Sequence, residues 1–142
     1  MTDFQTALCL QALVHKYLSA NLLDCARFYA ERLHYELLND NTVYLLALCY
    51  FRAAKFHQTY LILTGAKSSM CKYLFALSCE KLDKLGEGEA ILRPNVPLDK
   101  LSLETVSDTP GGAEGLYLLG RLCKRQHRRE MAIIYYKLSL KM

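Results

Sequence analysis

The sequence predicts an all-α fold made of stacked helical hairpins. Three observations indicate this fold class: apolar residues recur with helical spacing, small residues return at similar intervals, and no segment alternates in the manner of a β-strand. The chain has 142 residues, and 52 % of them are hydrophobic, which suits one domain with a substantial core. Its net charge of +4 does not by itself indicate nucleic-acid binding.

The repeat is clearest in the second helix of each hairpin, where one residue, usually small, marks the point at which the two helices cross closely. These residues are Ala26, Thr59, Gly88 and Ala132. They are 33, 29 and 44 positions apart, and the first interval is close to the period of about 34 residues of tetratricopeptide (TPR) repeats. We therefore predict a TPR α-α superhelix of about four hairpins.

The first two hairpins show the pattern most directly. The first has Tyr17 ahead of a turn at Asn21, and its second helix places Ala26, Ala30 and Leu33 on one face. The second hairpin turns at 54–55. Its corresponding residues are Leu46, Ala47, Tyr50, Thr59, Leu63 and Ala66.

The third and fourth hairpins follow the same pattern with Cys79 and Cys123 in the place of the earlier tyrosines. They turn at 83–84 and near His127. The predicted helices are 3–20, 22–36, 41–54, 56–65, 68–82, 85–92, 113–125 and 129–141. They form hairpins over about 3–36, 41–66, 68–92 and 113–141, in a single domain that spans 1–142.

Residues 93–112 interrupt the helical pattern. They contain all three prolines and a Gly-Gly pair, which predicts a loop inserted between the third and fourth hairpins. This insertion accounts for the long interval between Gly88 and Ala132. The loop also contains the dipeptide Thr109-Pro110, a minimal and common form of proline-directed phosphorylation site.

The first helices of the hairpins are apolar on more than one face. Residues 42–51 read TVYLLALCYF, with almost no polar face. We expect the residues not used for packing within the stack to face the groove and to bind a partner. These predicted groove residues are Leu8, Tyr44, Leu48, Phe51, Tyr73 and Leu77. The alternative is that a loop or a terminal helix of the same chain fills the groove.

The last hairpin carries basic residues that predict a second kind of surface. The residues are Arg121, Lys124, Arg125, Arg128 and Arg129. They are suited to an acidic or phosphorylated partner segment, and they also resemble a short nuclear-localisation run. The alternative is an ordinary solvated turn between two helices.

Little in the sequence indicates catalysis, a cofactor or a metal. The six cysteines form no CxxC pair and predict buried free thiols in a reducing compartment, and the four histidines lack metal-ligand spacing. The segment Leu85–Glu89 has two glycines but lacks the Lys-Ser/Thr of a phosphate-binding loop. The start of the chain does not read as a signal peptide, and no apolar run is long enough for a bilayer, so we expect an intracellular protein.

Several segments resemble one known family. Residues 30–33 (AERL) and 45–52 (LLALCYFR), the CKYL run at 71–74 and the EGE-x-IL run at 87–92 resemble the N-terminal TPR domain of the cell-division-cycle protein 27 type scaffold subunit of the anaphase-promoting complex (cyclosome). The resemblance covers most of 20–142, including the position of the loop.

The resemblance implies a non-catalytic subunit of a nuclear, and also cytoplasmic, cell-cycle ubiquitin ligase that acts in mitosis. It implies a two-fold homodimer formed by the N-terminal repeats, with other TPR subunits of the complex as further partners and with neither nucleic acid nor a membrane bound. We expect residues 3–18 of a second copy to fill the groove. The family's activator-receiving repeats have no counterpart here, so the sequence reads as an N-terminal fragment or a reduced homologue.

Two other functions remain open on sequence grounds. One is a peptide-binding TPR adaptor or co-chaperone, but its carboxylate clamp needs Lys, Asn and Arg in the groove, where this chain has residues such as Gln11, His15 and Tyr44. The other is a small TPR secretion chaperone that holds an extended partner. Its size fits, but the specific segments do not.

Overall fold

The computed structural model of the protein describes residues 3–97 and 100–142. Within these residues the chain forms eight α-helices and no β-strand, which confirms the predicted all-α fold of helical hairpins. The helices are α1 (Asp3–Ser19), α2 (Leu23–Glu36), α3 (Asp40–Arg52), α4 (Phe56–Leu63), α5 (Ser69–Lys81), α6 (Leu85–Leu92), α7 (Ala113–Arg125) and α8 (Arg129–Lys141). Among the described residues, no helix combines the length and the apolar character that crossing a bilayer requires.

The chain forms two compact units, Met1–Ala66 and Lys67–Met142. The first unit contains α1 to α4, and the second contains α5 to α8 together with the inserted segment. In each unit, consecutive helices pack against one another in chain order. The sequence-based assignment of a single domain over 1–142 stays a prediction.

Each hairpin turns through one residue in the left-handed region of backbone conformation. The residues are Asn21, Ala54, Asp83 and His127, with φ between 57° and 63°. The N–H of the following residue donates to the carbonyl five positions before it, as from Leu22 to Tyr17 and from Arg128 to Cys123, both at 2.9 Å. This is the Schellman ending of a helix. Because these residues are spaced like the crossing residues, they confirm the phase of the repeat.

The core of the first unit is built from small residues at helix crossings and larger residues between them. Ala26 and Ala30 are fully buried, so α2 approaches its neighbours closely. Asn39 caps α3: its side chain accepts from the Thr42 N–H at 3.0 Å, and the Thr42 hydroxyl accepts from the Asn39 N–H at 3.1 Å. The buried apolar residues of this core are Ala7, Val14, Leu18, Ala26, Ala30, Leu33, Leu45, Leu46 and Cys49.

The core of the second unit includes part of the inserted segment. Val106 is fully buried in it, and Leu101 packs against it. A Cβ added to Gly115 would collide with the carbonyl oxygen of Pro110, so this glycine lets the segment lie directly on the start of α7. The predicted loop is therefore packed into the second unit at Leu101, Val106 and Pro110, while most of its other described residues are exposed. The other buried core residues are Ala76, Leu92, Leu116, Leu118, Leu119, Leu122, Cys123, Ala132, Tyr135 and Leu138.

Candidate functional site

The predicted groove residues of the first unit are unequally exposed. Leu8 lies on α1 with half of its surface accessible. Tyr44, Leu48 and Phe51 lie on α3 and are half-buried. Leu48 packs against the first core, and the ring of Phe51 meets that of Phe56 edge-on with 5.3 Å between centroids. Leu8 is therefore the most accessible of these residues, while Leu48 and Phe51 also contribute to packing within the unit.

The predicted groove residues of the second unit are also partly used within the chain. Tyr73 and Leu77 lie on α5, are half-buried and pack against the second core. A Cβ on Gly111 would lie only 2.6 Å from Cδ2 of the Tyr73 ring. The end of the inserted segment thus covers part of Tyr73, as in the alternative in which the chain fills its own surface. Partner binding by these two residues stays a prediction.

An exposed apolar surface lies at one end of the first unit and was not recognised as a whole from the sequence. We call it the N-terminal apolar face, and it consists of Phe4 and Leu8 on α1 with Leu37 and Leu38 after α2. Their exposed fractions are 71 %, 50 %, 45 % and 74 %. Phe4, Leu8 and Leu37 meet at a cleft of about 150 Å³. The i,i+4 spacing of Phe4 and Leu8 was the available sequence signal.

A second exposed apolar surface lies on the last hairpin. We call it the C-terminal apolar face, and it consists of the exposed residues Tyr117 on α7 and Ile133 and Leu140 on α8, with the half-buried Tyr136. The rings of Tyr117 and Tyr136 lie 5.5 Å apart between centroids. The three α8 residues follow at i, i+3 and i+7, so they share one side of that helix.

Two of the predicted partner-binding arginines hold carboxylates of their own chain. Arg121 donates twice to Glu80, at 2.9 and 2.8 Å, which is a bidentate pair. Arg125 donates to Asp83 at 2.8 Å and to the Glu80 carbonyl at 2.9 Å. These contacts connect α7 to the end of α5 and offset the charge of both arginines. Lys124 and Arg129 are exposed, and their role in partner binding stays a prediction.

The remaining predicted arginine, Arg128, belongs to a buried ionic cluster. Glu89 is only 3 % exposed and accepts hydrogen bonds from Arg93, from Arg128 and, at 3.1 Å, from Gln126. Burial acts to raise the pKa of the Glu89 carboxyl, but the hydrogen bonds and charges of the two arginines outweigh it, and the pKa lies below its ordinary value. The cluster therefore contains a buried carboxylate that stays ionised near neutral pH.

Four of the six cysteines are buried and poorly reactive. Cys49, Cys71, Cys79 and Cys123 are buried, and burial raises the pKa of Cys49 to about 11 and that of Cys79 to about 12. Such thiols stay protonated and poorly nucleophilic. The expectation of burial is wrong for Cys9 and Cys25, which lie on exposed positions of α1 and α2. Among the described residues, no three His, Cys, Asp or Glu side chains cluster in a way that could hold a metal ion.

The four in-phase hairpin turns and the helix crossings define a TPR-type helical-repeat protein. The sequence profile of the family described as anaphase-promoting complex, cyclosome, subunit 3 matches residues 19–95, which is more than half of the chain. The chain belongs to this family.

Curated relatives agree with this assignment. The cell division cycle protein 27 homolog A of Arabidopsis thaliana is 35 % identical over 127 residues, which cover 89 % of this chain. The human cell division cycle protein 27 homolog is 40 % identical over 88 residues, which cover 61 % of this chain. The matches span only 17 % and 11 % of the lengths of these two relatives.

Solved structures support the fold. The chain is similar to the structure described as Cdc27 N-terminus, with a TM-score of 0.75, 19 % identity and coverage of 93 % of this chain and 60 % of that one. It is also similar to a chain of the Cut9–Hcn1 hetero-tetramer of the anaphase-promoting complex, with a TM-score of 0.77, 24 % identity and coverage of 92 % and 25 %. At these identities the likeness concerns the fold alone.

Proposed function

We propose that this chain is a non-catalytic scaffold region of an anaphase-promoting complex, in which it assembles with a second copy of itself and with other TPR subunits. The family to which it belongs supports this setting. The buried high-pKa thiols, and the pairing of Arg121 and Arg125 with the chain's own carboxylates, fit assembly better than catalysis. We place the protein in the nucleus and cytoplasm, where such a complex acts.

The N-terminal apolar face carries the proposal of self-association. Its four residues are large, apolar and between 45 % and 74 % exposed, and three of them converge on one cleft. Patches of this kind usually mark interaction sites in water-soluble domains. Fully burying one such side chain contributes about 1.5–3 kcal/mol of favourable free energy. The contributions of the four side chains together offset part of the entropy that is lost when two chains associate.

A second copy of this chain suits the face because the face contains both halves of a contact. Phe4 and Leu8 are exposed on α1 and line the cleft together with Leu37 and Leu45, so the face offers both accessible apolar side chains and a cleft to receive them. In a two-fold dimer, α1 of each copy lies against the cleft of the other, so the same contact forms twice across the symmetry axis. This arrangement uses the helix over 3–18 that the sequence predicts as the filling element.

Light scattering on the purified chain tests self-association. We expect a mass twice that of one chain at micromolar concentration, falling toward the mass of one chain on dilution. A strict monomer across the accessible concentration range would contradict the dimer, whatever the family assignment. Co-purification of a tagged and an untagged copy from one cell provides an independent readout, with reversed tags as the control.

A nuclear assembly role is tested separately in cells. We expect a fluorescent fusion of the chain to enrich in the nucleus and to co-purify with other TPR subunits of the complex. Replacing Lys124 and Arg129 with Gln removes two exposed basic residues of the last hairpin and should lower the nuclear enrichment. A fusion that stays outside the nucleus and captures none of these subunits would contradict the proposal.

A further inference from the structure

The second unit contains a cleft that the proposed scaffold role does not use. It lies beside the end of α6 and the start of α8, and its volume is about 460 Å³. Two arginines and four apolar or aromatic residues line it. They are Arg93, Arg128, Val96, Pro97, Met131 and Tyr135.

The two arginines share one internal carboxylate. Glu89 accepts a hydrogen bond from Nη2 of Arg93 and from Nη2 of Arg128. Two guanidinium groups facing one carboxylate leave one positive charge in excess. Because Glu89 is buried behind them, this excess lies on the side of the cluster that is open to the cleft.

Both guanidinium groups keep hydrogen-bonding capacity for a ligand. A guanidinium carries about five N–H donors, and the contacts described above use Nη2 of each group, with that of Arg128 also donating to Gln126 at 2.8 Å. The side chains of Arg93 and Arg128 are 54 % and 38 % exposed. Each guanidinium group is thus held by Glu89 through its Nη2, while its other nitrogens remain accessible.

The opposite wall of the cleft is apolar and held in place. Tyr135 is almost fully buried in the second core, and Met131 packs against the same core. Val96 and Pro97 come from the beginning of the inserted segment. A fixed positive pair beside a fixed apolar wall matches a ligand that carries an acidic group next to an apolar group.

We propose that this cleft, the Arg93–Arg128 cleft, binds a partner peptide segment that presents a carboxylate side chain next to a large apolar side chain. The carboxylate bridges the two guanidinium groups, and the apolar side chain packs on Met131 and Val96. A nucleic acid fits less well because Arg121 and Arg125 are offset by Glu80 and Asp83, so the positive charge is local and forms no continuous track.

A fluorescence anisotropy titration tests the proposal on the full chain. The probe is a fluorescein-labelled peptide of sequence GSELELGS, and the charge-reversed peptide GSKLKLGS is its control. We expect the acidic peptide to bind, the basic one not to bind, and the affinity to fall between about 50 and about 300 mM salt. Equal binding of both peptides, or tighter binding of a short single-stranded DNA, would overturn the proposal.

Three variants locate the binding to the cleft. Arg93→Gln removes an accessible charge and should weaken the acidic peptide about tenfold. Glu89→Gln removes the internal competitor and should strengthen binding several-fold, provided that circular dichroism shows the native helix content. Arg32→Gln makes the same change of net charge as Arg93→Gln but lies on α2 of the first unit, and it should stay within about twofold of the wild type. Equal losses for Arg93→Gln and Arg32→Gln would mean a diffuse charge effect and would overturn the site. If Glu89→Gln does not fold, the Arg93 and Arg32 comparison still decides the question.

Discussion

The two compact units use the same hairpin turn but are held together differently. In the first unit, the ion pairs described join residues of one helix, as between Arg32 and Glu36, and they are exposed and longer than 3.4 Å. In the second, Arg121 and Arg128 join different helices through carboxylates that are largely buried. The second unit also incorporates an inserted segment into its core.

This difference indicates that the second unit is stabilised more by specific internal contacts, and that the first is better suited to association. The first unit has a few hydrogen bonds between helices, from Arg52 to the Leu18 carbonyl at 2.8 Å and from Tyr50 to Glu31 at 3.1 Å, but no buried ion pair among its described residues, and it leaves large apolar side chains exposed at its N-terminal face. The second is fastened by specific polar contacts and by glycines that allow close approach of the inserted segment. We therefore expect single substitutions at these contacts to lower the free energy of unfolding of the second unit. Substitutions at the N-terminal apolar face should instead weaken the self-association of the first unit.

The largest effect is expected where the inserted segment lies on α7. Gly115→Ala places a Cβ against the Pro110 carbonyl, and backbone on both sides limits relief, so we expect a loss of about 3 kcal/mol in the free energy of unfolding. Urea denaturation followed by circular dichroism measures it. Gly86→Ala is the matched control, because nothing lies within 4 Å of its added Cβ, and it should be neutral or stabilising. Equal effects of the two variants would show that the segment does not constrain α7.

The next effect compares ion pairs of the two units. Arg121→Gln leaves Glu80, whose side chain is 11 % exposed, without its bidentate partner, and should cost about 2 kcal/mol. Arg32→Gln removes an exposed pair within α2 and should cost less than about 0.5 kcal/mol. The same denaturation series measures both. A cost for Arg32→Gln as large as that for Arg121→Gln would break the distinction drawn between the units.

Acid should weaken the second unit through Glu89. Its pKa is lowered on folding, so its contribution is present above the ordinary value of 4.5 and is lost as the pH falls below that value toward the folded pKa. We expect the free energy of unfolding to decrease in this range, and to decrease less in Glu89→Gln. Glu130→Gln, an exposed carboxylate of α8, should retain the wild-type slope. If the free energy of unfolding of Glu89→Gln fell with pH as steeply as that of the wild type, Glu89 would not be the cause of the acid sensitivity.

The smallest effect concerns the hairpin turn that the units share. Ala54 has a φ of 61°, a conformation that an alanine adopts only with strain. Ala54→Gly should stabilise the first unit by about 1 kcal/mol. Asn21→Gly should gain less, because asparagine tolerates this conformation better. Destabilisation by Ala54→Gly in thermal unfolding would contradict the role assigned to this turn.

The helices and the repeat phase were predictable because both follow from periodicity along the chain. None of the left-handed residues at the hairpin turns is a glycine, so residue type alone does not mark them. Their positions follow from the repeat, because Ala54 and Asp83 occupy the position in their hairpins that Asn21 has in the first. Predicted helix ends run one or two residues too far where the last residues belong to these turns, as at Ala53 and Ala54.

Contacts between distant residues were not predictable in the same way. Val106 lies in a segment without periodicity, so its burial appears only in the folded unit. Arg121 meets Glu80 across 41 positions, and no local pattern connects them. The exposure of Cys9 likewise depends on which side of α1 packs, because that helix is apolar on several sides. The sequence therefore predicted a set of apolar groove residues, and the structure shows that Leu8 is exposed while the other five are half-buried.

We propose that the first unit, through its N-terminal apolar face, holds a second copy of the chain. Sedimentation equilibrium of Leu8→Glu and Leu140→Glu tests it most directly, because both residues are exposed leucines and each variant adds one charge, at the N-terminal and C-terminal apolar faces respectively. We expect Leu8→Glu to be a monomer with native helix content and Leu140→Glu to remain a dimer. A dimeric Leu8→Glu together with a monomeric Leu140→Glu would contradict the claim and move self-association to the last hairpin.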